Sequence, residues 1–260
     1  MSNKDFQMLR EELKKIKEMG WIKNRRPGNA GGVGNTLEDL LNVPENNLQL
    51  PDFGKWELKS QRSATSSLLT LFHMEPKPAK ARVVPRILLP LYGWGHQKAG
   101  ILYPENERSF RQTINAISCS DRGFKVEINR EQEKVSISFD FGKIDIRHSE
   151  WKNSILNLAG TGDISPKPYW TFSDIQKKLD KKLHNLMYVK ADTKTVNGEE
   201  YFKYNQIEAF ANPSLEKFLS LMESGFIYID FDARTGHNHG TKFRIKPAYK
   251  EAVYNEHIKV

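Results

Sequence analysis

The chain has 260 residues, 38% of them hydrophobic and 28% charged, which is enough apolar material for a core and excludes wholesale disorder. Lys and Arg number 40 against 32 Asp and Glu, giving a net charge of +8 and a sequence pI near 9.3, a balance that favours a polyanionic partner. A single cysteine, Cys119, excludes an internal disulfide and a multi-cysteine zinc site and fits a reducing, cytoplasmic compartment.

From the N-terminus, Phe6, Leu9, Leu13, Ile16 and Met19 recur at spacings of three and four, which predicts an amphipathic helix over residues 4–19, stopped by Gly20. That stretch is charged throughout and carries no apolar leader pattern. Lys23, Arg25 and Arg26 lead into a glycine-rich loop, residues 27–34, after which Asn35 or Thr36 is expected to cap a short helix through Leu41. The glycines fit neither phosphate-loop pattern, since GxxxxGK[ST] is absent and Leu37 stands where GxGxxG needs its third glycine. A nucleotide site is therefore not expected there. Beyond Pro44 the pattern becomes extended, with Leu48 and Leu50 alternating up to a turn at Pro51, Asp52, Phe53 and Gly54. Residues 55–60 (KWELKS) read as a strand, and 67–73 (SLLTLFH) as a buried central strand.

Residues 76–90 form a basic connection punctuated by prolines. The longest apolar run, residues 87–91, lies partly inside it, is broken by Pro90 and falls far short of a membrane span, so no membrane association is expected. A meander follows: Phe124, Val126 and Ile128 alternate, then Val135, Ile137, Phe139 and Phe141, then Ile144 and Ile146, with a polar turn at 130–133. Thr171 or Ser173 caps a helix to about Leu186, with Ile175, Leu179 and Leu183 inward and Lys177, Lys178, Lys181 and Lys182 on a solvated face. A strand at 187–191 leads to a hairpin signal at Asn197 and Gly198. A last helix over 214–223, a strand over 226–231, a histidine-bearing loop at 236–240 and a strand over 241–245 complete an α/β pattern. Trp21, Trp56, Trp94, Trp151 and Trp170 are expected to be core or lobe-packing residues.

Residues 50–59 (LPDFGKWELK) carry the most chemistry. On a strand, residues i and i+2 share a face, so Glu57 and Lys59 project together while Leu58 points to the core. The short turn brings the Asp52 carboxylate beside Glu57. Two carboxylates so placed repel unless a cation lies between them, and hard oxygen ligands with retained water suit Mg²⁺. A neighbouring lysine orients a water and offsets charge on a phosphorane, the logic of phosphodiester hydrolysis. The competing interpretation is a solvated strand face, because D-x4-E-x-K also arises by chance in so charged a chain.

Residues Pro51-Asp52 and Glu57-Leu58-Lys59 resemble the PD-(D/E)xK nuclease motif. The surrounding text is similar to MvaI/BcnI-type restriction endonucleases, relatives of the mismatch-repair nicking enzyme MutH. The resemblance runs in order through residues 28–41, 46–59, 67–73, 169–183, 201–204 and 237–245. It implies a restriction-endonuclease-like mixed β-sheet flanked by helices and split into two lobes around a DNA cleft. One such domain would span residues 1–260, with the catalytic motif in 36–73 and the sequence-reading elements mainly in 169–246. It further implies that Asp52 and Glu57 are metal ligands, that Lys59 is the catalytic lysine, and that Glu38 is a further ligand. Glu38 is equally readable as a helix-start acid favoured by the macrodipole.

Residues 236–244 (GHNHGTKFR) offer two histidines, an asparagine and basic groups. With no third ligand nearby, zinc fits poorly. Base or phosphate contact fits better, because Asn and Arg match adenine and guanine edges. The resemblance assigns His237, Asn238 and His239 to DNA reading, while Arg244 is either a contact or a structural ion-pair partner. It also points to His73, a histidine kept after LTLF in the BcnI branch, although the HxHGTxFRI loop follows the MvaI branch. Lys23, Arg25 and Arg26 are expected to touch the DNA backbone. The function implied is a type II restriction endonuclease, Mg²⁺-dependent, cutting a short GC-rich site of the CC(W/S)GG kind in double-stranded DNA. Such a monomer nicks one strand at a time, and a cognate DNA methyltransferase is its functional partner. The alternatives are a MutH-like repair nickase and a non-catalytic DNA-binding module.

Overall fold

The computed structural model describes residues 3–29, 31–43 and 52–260. The expected extended run through Leu48 and Leu50, Pro51 of the motif, and Ala30 of the glycine-rich loop lie outside the described residues. The chain forms two compact units, one of Met1–Ser67, Lys177–Ser214 and Lys250–Val260, the other of Leu68–Gln176 and Leu215–Tyr249. No helix among the described residues is long and apolar enough to cross a membrane.

The first unit is built on a five-stranded mixed sheet. Its order is Ile22–Lys23, Glu199–Pro213, Asn185–Val196, Glu57–Arg62, with Tyr254–Ile258 also paired to Glu199–Pro213. Asn197 and Gly198, both at positive φ, close the long hairpin as expected. Among the described strands of this sheet, only Glu57–Arg62 and Asn185–Val196 pair in parallel, which such distant segments permit. The helix Asn3–Glu18 buries Leu9, Leu13 and Ile16 in a core with Trp56, Leu58, Met187, Val189 and Phe202. Met19 falls beyond that helix and is exposed. Trp21 is exposed as well, with the Lys194 ammonium 4.5 Å above its ring, so it is not a core residue.

The second helix, Gly32–Leu40, starts inside the glycine cluster and not at Asn35 or Thr36. Thr36 is buried, and its hydroxyl accepts the Arg25 N–H at 3.1 Å instead of capping. A Cβ at Gly32 would lie 2.8 Å from Asn24 Nδ2, so glycine is what lets the helix start rest on Asn24.

The second unit holds a six-stranded antiparallel sheet ordered Leu69–His73, Lys242–Ile245, Ile227–Arg234, Arg108–Ile114, Trp94–Gly95, with His237–Asn238 also paired to Ile227–Arg234. Leu69–His73 is an edge strand, contrary to the central position expected, although Leu69, Leu71 and Phe72 are buried. An apolar run reports side-chain burial, here against Phe218 and Phe243, and not the number of paired neighbours. A three-stranded sheet joins Arg122–Asn129, Lys134–Ile144 and Tyr169–Thr171. Ile146 leaves the expected meander: Asp145 accepts the Arg147 N–H and starts a 3₁₀ turn that exposes Ile146. Residues 76–90 contain the 3₁₀ turn Ala79–Ala81 and the π turn Val84–Leu88. Thr171 caps the helix Phe172–Lys182 by accepting the Asp174 N–H at 3.2 Å, and Ile175, Leu179 and Leu183 are fully buried.

Candidate active site

In the first unit, the turn before Glu57–Arg62 is closed by reciprocal backbone hydrogen bonds between Phe53 and Trp56 of 2.9 and 2.8 Å. Gly54 takes the positive φ that the turn requires, and its missing Cβ leaves room for the Asp5 carboxylate. Asn185 donates to the Lys55 carbonyl at 3.0 Å, fixing the turn against the neighbouring strand. Asp52 is thereby folded back so that its Oδ2 accepts the Leu58 N–H at 2.9 Å. Leu58 enters the core while Glu57 and Lys59 share the other face, as their spacing requires.

Glu57 is fully buried, and Lys59 Nζ donates to its Oε1. Burial pushes the Glu57 carboxyl above the usual glutamate range, Lys59 pulls it back, the Asp52 charge raises it further, and Lys182 and Lys59 lower it by hydrogen bonding. The Tyr254 hydroxyl, in the buried interior nearby, is pushed up by burial and then by the Glu57 charge. Lys182 was expected on a solvated face. Its side chain is only 18% exposed, and its Nζ lies 2.8 Å from Glu57 Oε2 and 3.7 Å from Asp52 Oδ1. Lys182 follows Ile175 by one heptad, so the helix returns it to within about 20° of that buried azimuth. That spacing was the available signal.

Asp52 and Glu57 supply oxygen donors only, on a buried ledge whose negative charge draws two ammonium groups, a donor set that fits a small hard divalent cation. No cluster of three or more His, Cys, Asp or Glu that could hold a metal forms among the described residues, so Glu38 does not complete one. Nor is Glu38 a helix-start acid, since it sits near the C-terminal end of Gly32–Leu40. Lys23 pairs with Glu199 at 2.5 Å and Arg26 makes a two-pronged contact with Asp39 at 2.9 and 3.2 Å, whereas the Arg25 side chain is exposed.

In the second unit, His237, Asn238 and His239 are exposed. His237 Nε2 and His239 Nδ1 lie 3.3 Å apart, and Asn238 Oδ1 accepts the Gly240 N–H at 2.9 Å. Glu75, unremarked in the sequence, anchors this loop: it accepts the Thr241 N–H at 2.7 Å and a 3.3 Å bond from Asn238 Nδ2. His73 is exposed beside the loop, where a Cβ at Gly240 would stand 3.2 Å from its ring. Arg244 is held by Asp230 at 3.1 Å and the Leu68 carbonyl at 2.9 Å, the structural of its two expected roles. The loop borders a cavity of about 740 Å³, lined also by Lys77, Arg82, Leu89 and Arg234.

Among solved structures, the chain is similar to the complex of restriction endonuclease MvaI with its cognate DNA substrate. The identity is 27%, covering 97% of this chain and 96% of that one, with a TM-score of 0.78. The same comparison with MvaI in the absence of DNA gives 27% identity, coverage of 99% and 98%, and a TM-score of 0.53. No curated protein matches. A sequence model of the MvaI/BcnI restriction endonucleases matches residues 10–254, nearly the whole chain. The chain belongs to the MvaI/BcnI restriction endonuclease family of site-specific DNA endonucleases.

Proposed function

We propose that the chain is a Mg²⁺-dependent type II restriction endonuclease that hydrolyses double-stranded DNA at a short GC-rich site of the CC(W/S)GG kind. It acts as a monomer that nicks one strand at a time, opposite a DNA methyltransferase of the same specificity. The observation that carries this reading is the convergence of Asp52 and Lys59, both partly exposed, on the fully buried Glu57 carboxylate. A solvated strand face, the bland alternative, would leave Glu57 in water.

Asp52 and Glu57 would hold the cation, with Glu38 a candidate for contact through water. Bound there, Mg²⁺ supplies Lewis-acid polarisation of the scissile phosphate and lowers the pKa of a water. Leu58 N–H holds Asp52 in place, and the buried strand fixes Glu57, so neither carboxylate needs to reorganise as charge develops. Lys59 Nζ orients the attacking water, favours loss of its proton and offsets charge on the phosphorane. His73, His237, Asn238 and His239 present polar edges for base reading, while Arg25, ahead of Lys23 and Arg26, is available for phosphate.

Supercoiled plasmid carrying candidate sites, digested with Mg²⁺ and with EDTA, tests this. Open circles should accumulate before linear product in Mg²⁺, and nothing should be cut in EDTA. Cleavage in EDTA, or concerted linearisation at every enzyme concentration together with a dimer in sedimentation, would refute the metal or the monomer reading respectively.

A further inference from the structure

The sequence accounts for one lysine at the carboxylate ledge, and the structure holds two. Lys59 comes from the same strand as Glu57 and contacts Oε1. Lys182 comes from the end of a helix far along the chain and contacts the other oxygen, Oε2, at 2.8 Å, while also facing Asp52 Oδ1 at 3.7 Å. Its ammonium thus bridges the two acids where a cation is needed to offset their repulsion. Because Lys182 is largely shielded from water, its charge acts on the ledge with little screening.

We propose that Lys182 is an internal counter-ion that competes with the divalent cation and couples metal uptake to DNA. This rests on the reading of Asp52 and Glu57 as the metal ligands. A metal ligated by the oxygens that Lys182 contacts draws on the same lone pairs and is repelled by its ammonium, so Lys182 holds metal affinity down in the free protein. Duplex DNA offers that ammonium another anion, a backbone phosphate. Moving to it, Lys182 releases Glu57 Oε2, and the cation and the substrate bind with mutual reinforcement. Lys182 is in this sense a positioning residue: it acts through Glu57 and Asp52.

The test measures Mn²⁺ binding directly, by loss of the free-ion electron paramagnetic resonance signal, on the whole protein with and without a non-hydrolysable duplex. The wild-type protein should bind Mn²⁺ weakly alone and at least tenfold more tightly with the duplex. Lys182→Met should bind it at least tenfold more tightly alone and lose most of the duplex dependence. Lys182→Arg, which keeps the charge, should behave as the wild type. A structural defect weakens binding, so the predicted gain separates the two causes. If Lys182→Met binds no more tightly, or Lys182→Arg gains as much as Lys182→Met, the proposal is wrong. Asp52→Ala and Glu57→Ala serve as the control on the underlying reading. If they abolish Mn²⁺ binding while Lys182→Met leaves it unchanged, only the counter-ion proposal falls. Unchanged Mn²⁺ binding in Asp52→Ala and Glu57→Ala means the metal sits elsewhere, and both fall.

Discussion

Glu57 is fully buried on a strand paired to one arm of a long hairpin, whereas His237, Asn238 and His239 are exposed on a loop held by Glu75 and by the Asn238 side chain. The first region concentrates charge where water is scarce, so each interaction there is strong and each loss expensive. The second leaves the two imidazoles at the surface, where exchanging solvent for another polar partner brings a modest net gain. On the proposed function, the former region stabilises a transition state and the latter discriminates between sequences.

The largest effects should come from breaking the buried region. Asp52→Ala, Glu57→Ala and Lys59→Ala should each lower the plasmid-nicking rate by at least about 100-fold, while thermal melting still shows a cooperative fold. Near wild-type cutting by any of them would misplace the chemistry. A middle-sized effect is expected at the loop. His237→Ala or His239→Ala should cost about 1–3 kcal/mol in cognate over scrambled duplex, measured in Ca²⁺, with random-sequence binding little changed. Glu75→Ala removes the anchor but no reading group, so it should lose a smaller part of the same discrimination. Equal losses on both duplexes would make the loop a phosphate clamp. The smallest effect is the sharpest comparison: Arg25→Ala should weaken binding to both duplexes and shallow the salt slope by about one unit. Lys23→Ala should do less, because its ammonium is already paired with Glu199.

Much of the ledge could be read in the chain itself, since the i, i+2 relation of Glu57 and Lys59 and the inward Leu58 follow from strand geometry alone. Lys182 was missed because Lys177, Lys178, Lys181 and Lys182 resemble one solvated row, and composition hid the heptad that places the last of them beside Ile175. Burial in fact holds the Lys178 ammonium below the usual lysine range, with the Lys181 and Lys182 charges adding to that, so the row is not uniformly solvated. The helix start at Gly32 was hidden because the glycines were judged by local flexibility, while the deciding contact with Asn24 is tertiary. The edge position of Leu69–His73 depends on which distant strands pair with it, and no local pattern carries that. Glu75 had no signal, being one acid among many until the chain brings it to Thr241.

The parallel pairing of Glu57–Arg62 with Asn185–Val196 has a consequence for synthesis. Glu57 leaves the ribosome early, but its strand partner and Lys182 emerge only after the whole segment 68–176 has been made. Closing so long a loop is slow and follows local folding. A nascent or truncated chain therefore carries the acidic motif without the neighbour that walls it from water, and the carboxylate ledge is completed in one late step. If the ledge is the cutting centre, as proposed, partial chains that lack residues 177–196 should not cut DNA.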